Sequence, residues 1–291
     1  MNTDFLTRMA DSSRQRLEDS RARCDETSLR DRAESRPAAA LLNLSSQGFD
    51  LIAEIKRRSP SMGVLADDAV SPVEQARRYA DAGAATISVL TEPAQFSGEL
   101  AHLEQVAEAI PQIPAMRKDF LVSPYQVFEA RAAGAGGVLL IAALLSAAEL
   151  REMLLTTLEL GMFALVEAFD SADLQICLPV MDAVGSTDSD QDSDQYGDAR
   201  GNGNCRMLIG INCRDLRTLE VDFPRFETLA DLLPATLPWV AESGVQTVEQ
   251  VRHVAGLGYR LALVGTALMR SVDPSAVAAE LISAGRGNAG R

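Results

Sequence analysis

Eight short apolar segments alternate with eight longer amphipathic segments in this chain, and this alternation limits the possible folds most strongly. Each apolar segment has the length of a strand, about five residues. The intervening segments have helical periodicity, and several begin with Ser, Asp, Thr or Pro and end with Gly. Strands that alternate with helices pair in parallel. The predicted strands are 51–56, 86–90, 114–120, 137–142, 163–168, 207–212, 238–243 and 261–265.

Eight strand–helix units favour one α/β architecture, the closed (β/α)8 or TIM barrel with an N-terminal helical extension. A doubly wound sheet is the other possibility, but no G-x-G-x-x-G sequence follows the first strand. Residues 49–285 are therefore predicted to form the barrel. Residues 1–48 are rich in Arg, Asp, Glu and Ser and have too few apolar residues for a core of their own, so we expect them to pack on the barrel.

An acidic segment interrupts the regular spacing between the fifth and sixth strands. Residues 182–205 contain six aspartates and almost no apolar side chains, which predicts a flexible, solvated insertion at about 183–205. Its place in a helix-to-strand connection puts it on the N-terminal face of the barrel, away from the chemistry. A calcium loop is the alternative, but the glycine and glutamate that such a loop needs at fixed offsets are missing.

Charge and composition exclude several classes of function. The net charge of −14 argues against nucleic-acid and anionic-membrane partners, and no apolar leader or membrane span is present in the sequence. The four cysteines form no C-x-x-C pair, and both histidines lie in helical segments, so a metal site is not expected. We expect a cytoplasmic protein, monomeric or weakly homo-oligomeric.

Lysine usage is the most unusual feature of the composition. Of 27 basic residues 25 are Arg, and the only lysines are Lys56 and Lys118. Arg is effectively always protonated, whereas the pKa of Lys can be tuned for proton transfer. Both lysines lie at the ends of predicted strands, where barrel enzymes carry their active sites. The two lysines are therefore predicted to take part in chemistry.

Other polar side chains fall at the same strand ends. Glu54 lies two residues before Lys56, so both side chains share the inward face of the first strand. A structural ion pair in a polar layer is the alternative for these two. Arg117 is expected to point outwards to the helices, and Asp119 to order a loop. The remaining candidates are Glu167, Asn212, Arg214 and Glu242.

The last two strands end in sequences that are typical of anion binding. Ser243-Gly244 follows the seventh strand, and Gly265-Thr266 follows the eighth and opens a short helical turn. Glycines let backbone N–H groups approach a phosphate, and the start of a helix favours negative charge. Loops after strands 7 and 8 are the recurrent phosphate site of this fold. A phosphorylated small molecule is therefore the predicted ligand.

The sequence closely resembles the indole-3-glycerol-phosphate synthase family of tryptophan biosynthesis. The resemblance covers every predicted strand in order, and the A-E-I-K-R-x-S-P and R-K-D-F combination is highly specific to the family. The matching stretches are IAEIKRRSPSMG (52–63), SVLTEPAQFSGEL (88–100), MRKDFLVSPYQVFEARAAGA (116–135), LVEAFD (165–170), IGINCRDLRTLEVD (209–222), AESGV (241–245) and LVGTALMR (263–270).

This resemblance implies a carboxy-lyase that closes the ring of 1-(2-carboxyphenylamino)-1-deoxyribulose 5-phosphate and releases CO2 and water, without a cofactor. It implies that Lys118 is the general acid, that Lys56 pairs with the substrate carboxylate, and that Glu167 serves the dehydration. Glu54 would position or relay protons. Substrate positioning is implied for Asn212, Arg214, Glu242 and Phe96, and phosphate binding for Ser59, Ser243, Gly244, Gly265 and Thr266.

Two residues depart from the family pattern: Phe169 stands where His is usual, and Cys213 where Asn is common. The acidic insertion is not a family norm either. Two alternative functions stay open. A phosphoribosyl-anthranilate isomerase would use a Cys/Asp pair rather than two lysines, and a non-catalytic relative acting as a binding subunit would not need both lysines and Glu167.

Overall fold

The computed structural model describes residues 4–60, 62–65, 71–188, 203–216 and 219–287. Eight parallel strands close into a barrel in the order β6-β7-β8-β1-β2-β3-β4-β5, which confirms the predicted fold. Each observed strand lies within two residues of its predicted bounds. The strands are β1 Asp50–Ile55, β2 Thr86–Leu90, β3 Ala115–Lys118, β4 Gly137–Ile141, β5 Phe163–Ala168, β6 Met207–Asn212, β7 Trp239–Glu242 and β8 Leu261–Val264.

Helices follow the strands around the outside of the barrel. Ser, Thr or Asp side chains cap five of the barrel helices, and Ser146 and Thr247 form full capping boxes. The barrel helices are α3 Pro72–Asp81, α5 Leu100–Ala109, α6 Pro124–Ala132, α7 Ala147–Glu159, α8 Ser171–Asp188, α9 Arg225–Ala230, α10 Val248–Gly256 and α12 Pro274–Arg286. Shorter helices lie in the loops after three strands: α4 Pro93–Phe96, a 3-10 turn Ala142–Leu144 and α11 Thr266–Met269.

The alternation of side chains along each strand divides the core into two layers. On β1, Leu51 and Ala53 pack outwards against the helices, while Ile52 joins the residues that fill the barrel interior. The interior layer includes Met116, Leu139, Leu165, Leu208, Val240 and Leu261. Glu54 shares the face of Ile52, so a buried carboxylate lies directly above this apolar filling.

The N-terminal segment packs on the barrel through two helices, α1 Phe5–Arg23 and α2 Glu26–Ser35. Ser13 of α1 accepts a hydrogen bond from the buried Gln126 of α6, at 2.9 Å. Downstream, Asn43–Leu44 pairs antiparallel with Gly203–Asn204, which lies just before β6. Both the helices and the chain that follows them are therefore tied to the barrel.

The structure corrects the predicted start of the acidic insertion. Helix α8 runs to Asp188, past Pro179, instead of ending before residue 182. Its buried side chains are Leu174, Cys177, Met181 and Val184, so the apolar face continues at helical spacing as far as Val184, inside the segment that was predicted to be a loop. The rest of the insertion, including most of its aspartates, lies outside the described residues. The calcium-loop alternative falls on the same residues.

No helix in the described part of the chain is both long enough and apolar enough to cross a membrane.

Candidate active site

A single cavity at the carboxyl ends of the barrel strands gathers all thirteen predicted site residues. Its volume is about 940 Å³ when the space open to solvent is included. These residues come from the ends of seven strands or from the loops that follow them, and the cavity therefore depends on barrel closure. Its lining includes Glu54, Lys56, Ser59, Phe96, Lys118, Glu167, Asn212, Arg214, Glu242, Ser243, Gly244, Gly265 and Thr266.

Glu54 lies between the two lysines. Its Oε2 atom is 2.5 Å from Nζ of Lys56, and its Oε1 atom is 3.9 Å from Nζ of Lys118. Burial opposes ionisation of Glu54, but the two neighbouring ammonium groups outweigh it and lower the pKa of this carboxyl. The ion pair that the sequence left as a structural alternative does exist, and it lies within the cavity.

Two further carboxyl groups, Glu167 on β5 and Glu242 on β7, are almost completely buried and line the same cavity. None of their four oxygens receives a hydrogen bond from a donor in the described residues. Burial and the neighbouring charge of Glu167 raise the pKa of Glu242 well above its ordinary value. Glu242 therefore holds a proton under conditions where an exposed glutamate has lost it.

Lys118 faces all three carboxyl groups. Burial disfavours its charged form, but Glu167, Glu54 and Glu242 together outweigh burial and raise the pKa of Lys118. The ammonium form is therefore dominant at neutral pH. Such a group can donate a proton only to an oxygen that becomes strongly basic during the reaction.

Asn212 and Arg214 shape the loop that follows β6. The side-chain oxygen of Asn212 accepts a hydrogen bond from the backbone N–H of Arg214, at 2.9 Å. Arg214 in turn donates to the carbonyl of Leu219, at 2.9 Å, and its backbone forms a β-bridge with Val221. Arg214 therefore both lines the cavity and orders the loop.

The candidate phosphate end of the cavity has an unusual backbone. Ser243 and Gly244 both have left-handed conformations, with φ of 63° and 68°. A non-glycine residue in this region is uncommon and marks functional sites. A Cβ atom at position 244 would lie 2.7 Å from Sγ of Cys213, so this position requires glycine. Gly265 has a similar restriction, since a Cβ there would collide with the Glu54 carboxylate.

An aromatic and apolar wall closes another side of the cavity. The ring of Phe96 lies 6.3 Å from the ring of Phe120, and Phe120 lies 6.2 Å from Phe5 of α1. The sequence analysis missed Phe5 and Phe120, and also Leu139 and Ile141 of β4. The sequence did contain a signal for three of them, because residues two apart on a strand face the same side. Phe120 follows Lys118 by two residues, and Leu139 and Ile141 are also two residues apart. No sequence signal indicates Phe5.

Asp119 has a structural environment, as predicted. Arg16 of α1 donates to its two oxygens at 2.8 and 2.9 Å, and Thr91 donates at 2.8 Å. Although Asp119 is buried, these donors and Arg117 hold its pKa far below the ordinary value. Arg117 also points outwards, as expected, to Gln126 and Glu129 of α6.

The two departures from the family pattern are both buried. Phe169 packs with the interior apolar residues after β5, and its backbone N–H donates to Asp173 at 2.8 Å. Cys213 lies beneath Gly244, and burial raises the pKa of its thiol to about 12. A protonated thiol outside the cavity lining does not supply the acid-base cysteine that the isomerase alternative requires.

Solved structures with low sequence identity share the fold. A 3-hexulose-6-phosphate synthase from Salmonella typhimurium aligns with a TM-score of 0.60 at 12% identity, over 82% of this chain and all of that chain. A thiamine phosphate pyrophosphorylase from Pyrococcus furiosus aligns with a TM-score of 0.55 at 15% identity, over 84% of this chain and 98% of that chain. These likenesses support the barrel architecture alone.

Sequence comparison is more specific. The family model described as indole-3-glycerol phosphate synthase matches residues 6–185 and 205–281. A protein of that name from Arthrobacter sp. (strain FB24) is 44% identical over 81% of this chain and 77% of its own length. Another protein of that name, from Parafrankia sp. (strain EAN1pec), is 43% identical over 86% of this chain and 83% of its own length. With its barrel, its lysine–glutamate cavity and these relatives, the chain belongs to the indole-3-glycerol phosphate synthase family, carboxy-lyases of tryptophan biosynthesis.

Proposed function

We propose that the cavity closes an indole ring on 1-(2-carboxyphenylamino)-1-deoxyribulose 5-phosphate, with Lys118 as the general acid. The observation that carries this proposal is the meeting of both lysines of the chain with Glu54, Glu167 and Glu242 in one cavity. Ring closure joins an aromatic carbon to a ketose carbonyl carbon. It needs a proton donor for the carbonyl oxygen, a cation for the carboxylate and a base for the later loss of water.

The first step forms the carbon–carbon bond. The ring carbon that carries the carboxylate attacks the carbonyl carbon, and Lys118 gives a proton to the carbonyl oxygen as negative charge develops there. The raised pKa of Lys118 keeps that proton in place until the oxygen becomes basic. Lys56 pairs with the carboxylate and holds it over the ring. Glu54 positions both ammonium groups, since it contacts each of them.

The remaining steps release CO2 and water. The carboxylate leaves as CO2, and the electrons of its bond restore the aromatic ring. The hydroxyl formed in the first step then departs as water, because Glu167 takes a proton from the neighbouring carbon and delivers a proton to the leaving oxygen. Burial and Glu167 raise the pKa of Glu242, so this group keeps its proton to a higher pH than an exposed glutamate does and, when protonated, donates a hydrogen bond to the substrate. No step requires a metal or an organic cofactor.

Binding of the substrate divides between the two ends of the cavity. The phosphate lies against Ser59, Ser243, Gly244, Gly265 and Thr266, where the left-handed backbone at 243 and 244 forms the concave kind of turn that binds anions. The anthranilate ring lies against Phe96. Asn212 and Glu242 hold hydroxyls or the anilino nitrogen, and Arg214 orders its loop. We further expect a cytoplasmic protein, monomeric or weakly associated, without a nucleic-acid partner.

The test follows indole fluorescence when purified protein meets the carboxyphenylamino-deoxyribulose phosphate. Lys118→Met removes the proton donor at nearly equal length, and Lys118→Arg keeps the charge but not the transferable proton. Both should lower kcat by about a thousandfold, the size typical of general acid catalysis. Arg151→Met, an exposed change on α7, is the matched control. Wild-type protein without signal, or Lys118→Met with wild-type kcat, would refute the proposal.

A further inference from the structure

Glu92 has a buried carboxylate that does not line the cavity. It follows β2, is fully shielded from solvent, and begins the short helix α4. Its Oε1 atom accepts the backbone N–H of Ala94 at 2.9 Å. Its Oε2 atom accepts the N–H groups of Gln95 at 2.7 Å and Phe96 at 3.2 Å. One carboxylate therefore holds three successive amides, the last of which belongs to a cavity residue.

We propose that Glu92 is a positioning residue that sets affinity for the aromatic half of the substrate by holding Phe96 in the cavity wall. The inference rests on the proposed function, because it assumes that Phe96 contacts the anthranilate ring. Charge-assisted hydrogen bonds to a buried carboxylate are stronger and geometrically tighter than neutral ones. Three of them fix the backbone from which the Phe96 ring projects.

The rest of this turn supports a fixed geometry. The N–H of Gly98 returns to the carbonyl of Glu92 at 2.9 Å, which closes the loop on itself. Gly98 packs so closely on the carbonyl of Leu90 that a Cβ atom there would collide with it. Ser97, between α4 and Gly98, has the left-handed conformation with φ of 53°. The Phe96 ring is therefore held by a closed turn and not by packing alone.

The turn is also separate from the residues that carry the chemistry. Glu92 does not line the cavity and contacts no atom of the substrate path. Its three amide partners lie in α4, while the lysines and the other glutamates project from β1, β3, β5 and β7. Loss of the Glu92 charge should therefore change binding more than turnover.

The experiment compares Glu92→Gln with Glu99→Gln. Both changes remove one charge from the same loop, but Glu99 is exposed and its side chain caps nothing. In Glu92→Gln an NH2 group faces amide donors, so at least one hydrogen bond is lost and a donor–donor contact appears. We expect KM to rise about tenfold with kcat within about twofold, and no change in either constant for Glu99→Gln.

A double-mutant cycle tests whether Glu92 acts through Phe96. Phe96→Leu alone should also raise KM, and Glu92→Gln should add little to it, because the ring that Glu92 positions is gone. If Phe96→Leu raises KM but Glu92→Gln does not, or if the two effects add fully, the inference is overturned. If Phe96→Leu leaves KM unchanged, the role of Phe96 in the proposed function fails, and this inference fails with it.

A second pair of variants covers the case in which Glu92→Gln does not fold. Ser97 is exposed, so substitutions there do not disturb the core. Ser97→Val disfavours the left-handed conformation, whereas Ser97→Gly accepts it. We expect Ser97→Val to raise KM in the manner of Phe96→Leu and Ser97→Gly to leave it unchanged. Equal KM values for the two Ser97 variants would contradict the proposal.

Discussion

The carboxylate of Glu242 occupies the space that a side chain at Gly210 would need. Gly210 lies on β6, one strand away, and a Cβ atom built there would overlap Oε1 of Glu242 and approach Leu165 to 3.1 Å. In the register, Gly210 is also the partner of Glu167 on β5. The absence of a side chain at this interior position therefore makes room for the buried carboxyl group of Glu242.

Gly210→Ala should displace Glu242 and disturb the carboxyl pair. We expect kcat to fall by about a hundredfold or more, since misplaced catalytic groups lose most of their effect. Gly185→Ala is the control, because a Cβ there would lie 3.4 Å from Met207 in an ordinary helix. That change should leave kcat unaltered and should not destabilise the protein. A Gly210→Ala enzyme with wild-type kcat would contradict the crowding argument.

The buried carboxyl group of Glu242 should lower the free energy of unfolding at neutral and alkaline pH. Its pKa is raised in the folded state, so the protein is most stable where the group is protonated and loses stability as the pH rises from about 4.5 towards the folded pKa. Glu242→Gln removes this titration. We expect urea unfolding to show a larger gain in stability at pH 8 than at pH 5, while kcat falls at least about tenfold.

Glu280→Gln, an exposed change on α12, serves as the control and should show no such pH-dependent gain. If Glu242→Gln destabilises the protein equally at both pH values, the raised pKa of Glu242 is not a stability cost in this fold.

Arg16 should account for much of the attachment of α1 to the barrel. Arg16→Gln leaves the buried Asp119 without its two strongest hydrogen bonds, which should cost about 3 kcal/mol of the free energy of unfolding at pH 7. Arg14→Gln on the same helix breaks an exposed pair with Asp11 and should cost no more than about 0.5 kcal/mol. If the two variants lose similar amounts of unfolding free energy, the Arg16–Asp119 pair does not hold α1 on the barrel.

The Arg16 effect should also depend on pH. The folded pKa of Asp119 lies far below its ordinary value of 3.8, so the contribution of the pair is complete above that value and declines as the pH falls through it. Denaturant titrations at pH 7, 5 and 3.5 should therefore show that the free energies of unfolding of wild type and Arg16→Gln differ least at pH 3.5.

The acidic segment should be dispensable for turnover. Helix α8 ends at Asp188 and Gly203–Asn204 precedes β6, both at the N-terminal face of the barrel. Replacing residues 189–202 by a short Gly/Ser linker should keep kcat within about tenfold, because barrel chemistry lies at the opposite face. Deleting 184–204 should lower Tm as well, since it removes the buried Val184 and the pairing with Asn43–Leu44. A collapse of kcat in a folded linker variant would contradict this.

The sequence by itself determined the number and order of the strands, because strand and helix periodicities are local properties that need no tertiary information. It also determined which strand ends carry Lys56, Lys118 and Glu167, since the parallel order places those ends on one face. Even the outward direction of Arg117 followed from its position beside Lys118. Within the described residues, periodicity misplaced the end of α8, where an apolar face continued to Val184 beneath an acidic, proline-containing sequence.

Tertiary structure alone decided how these groups act on one another. Only the pairing of strands in the barrel brings Glu54 within reach of Lys118 and puts Glu242 near Glu167. There the three glutamates outweigh burial and raise the pKa of Lys118, while burial and Glu167 raise the pKa of Glu242. Phe5 reaches the cavity from a helix that the strand pattern does not include. Distances and burial depend on contacts between residues far apart in the chain, and a local pattern contains no information about them.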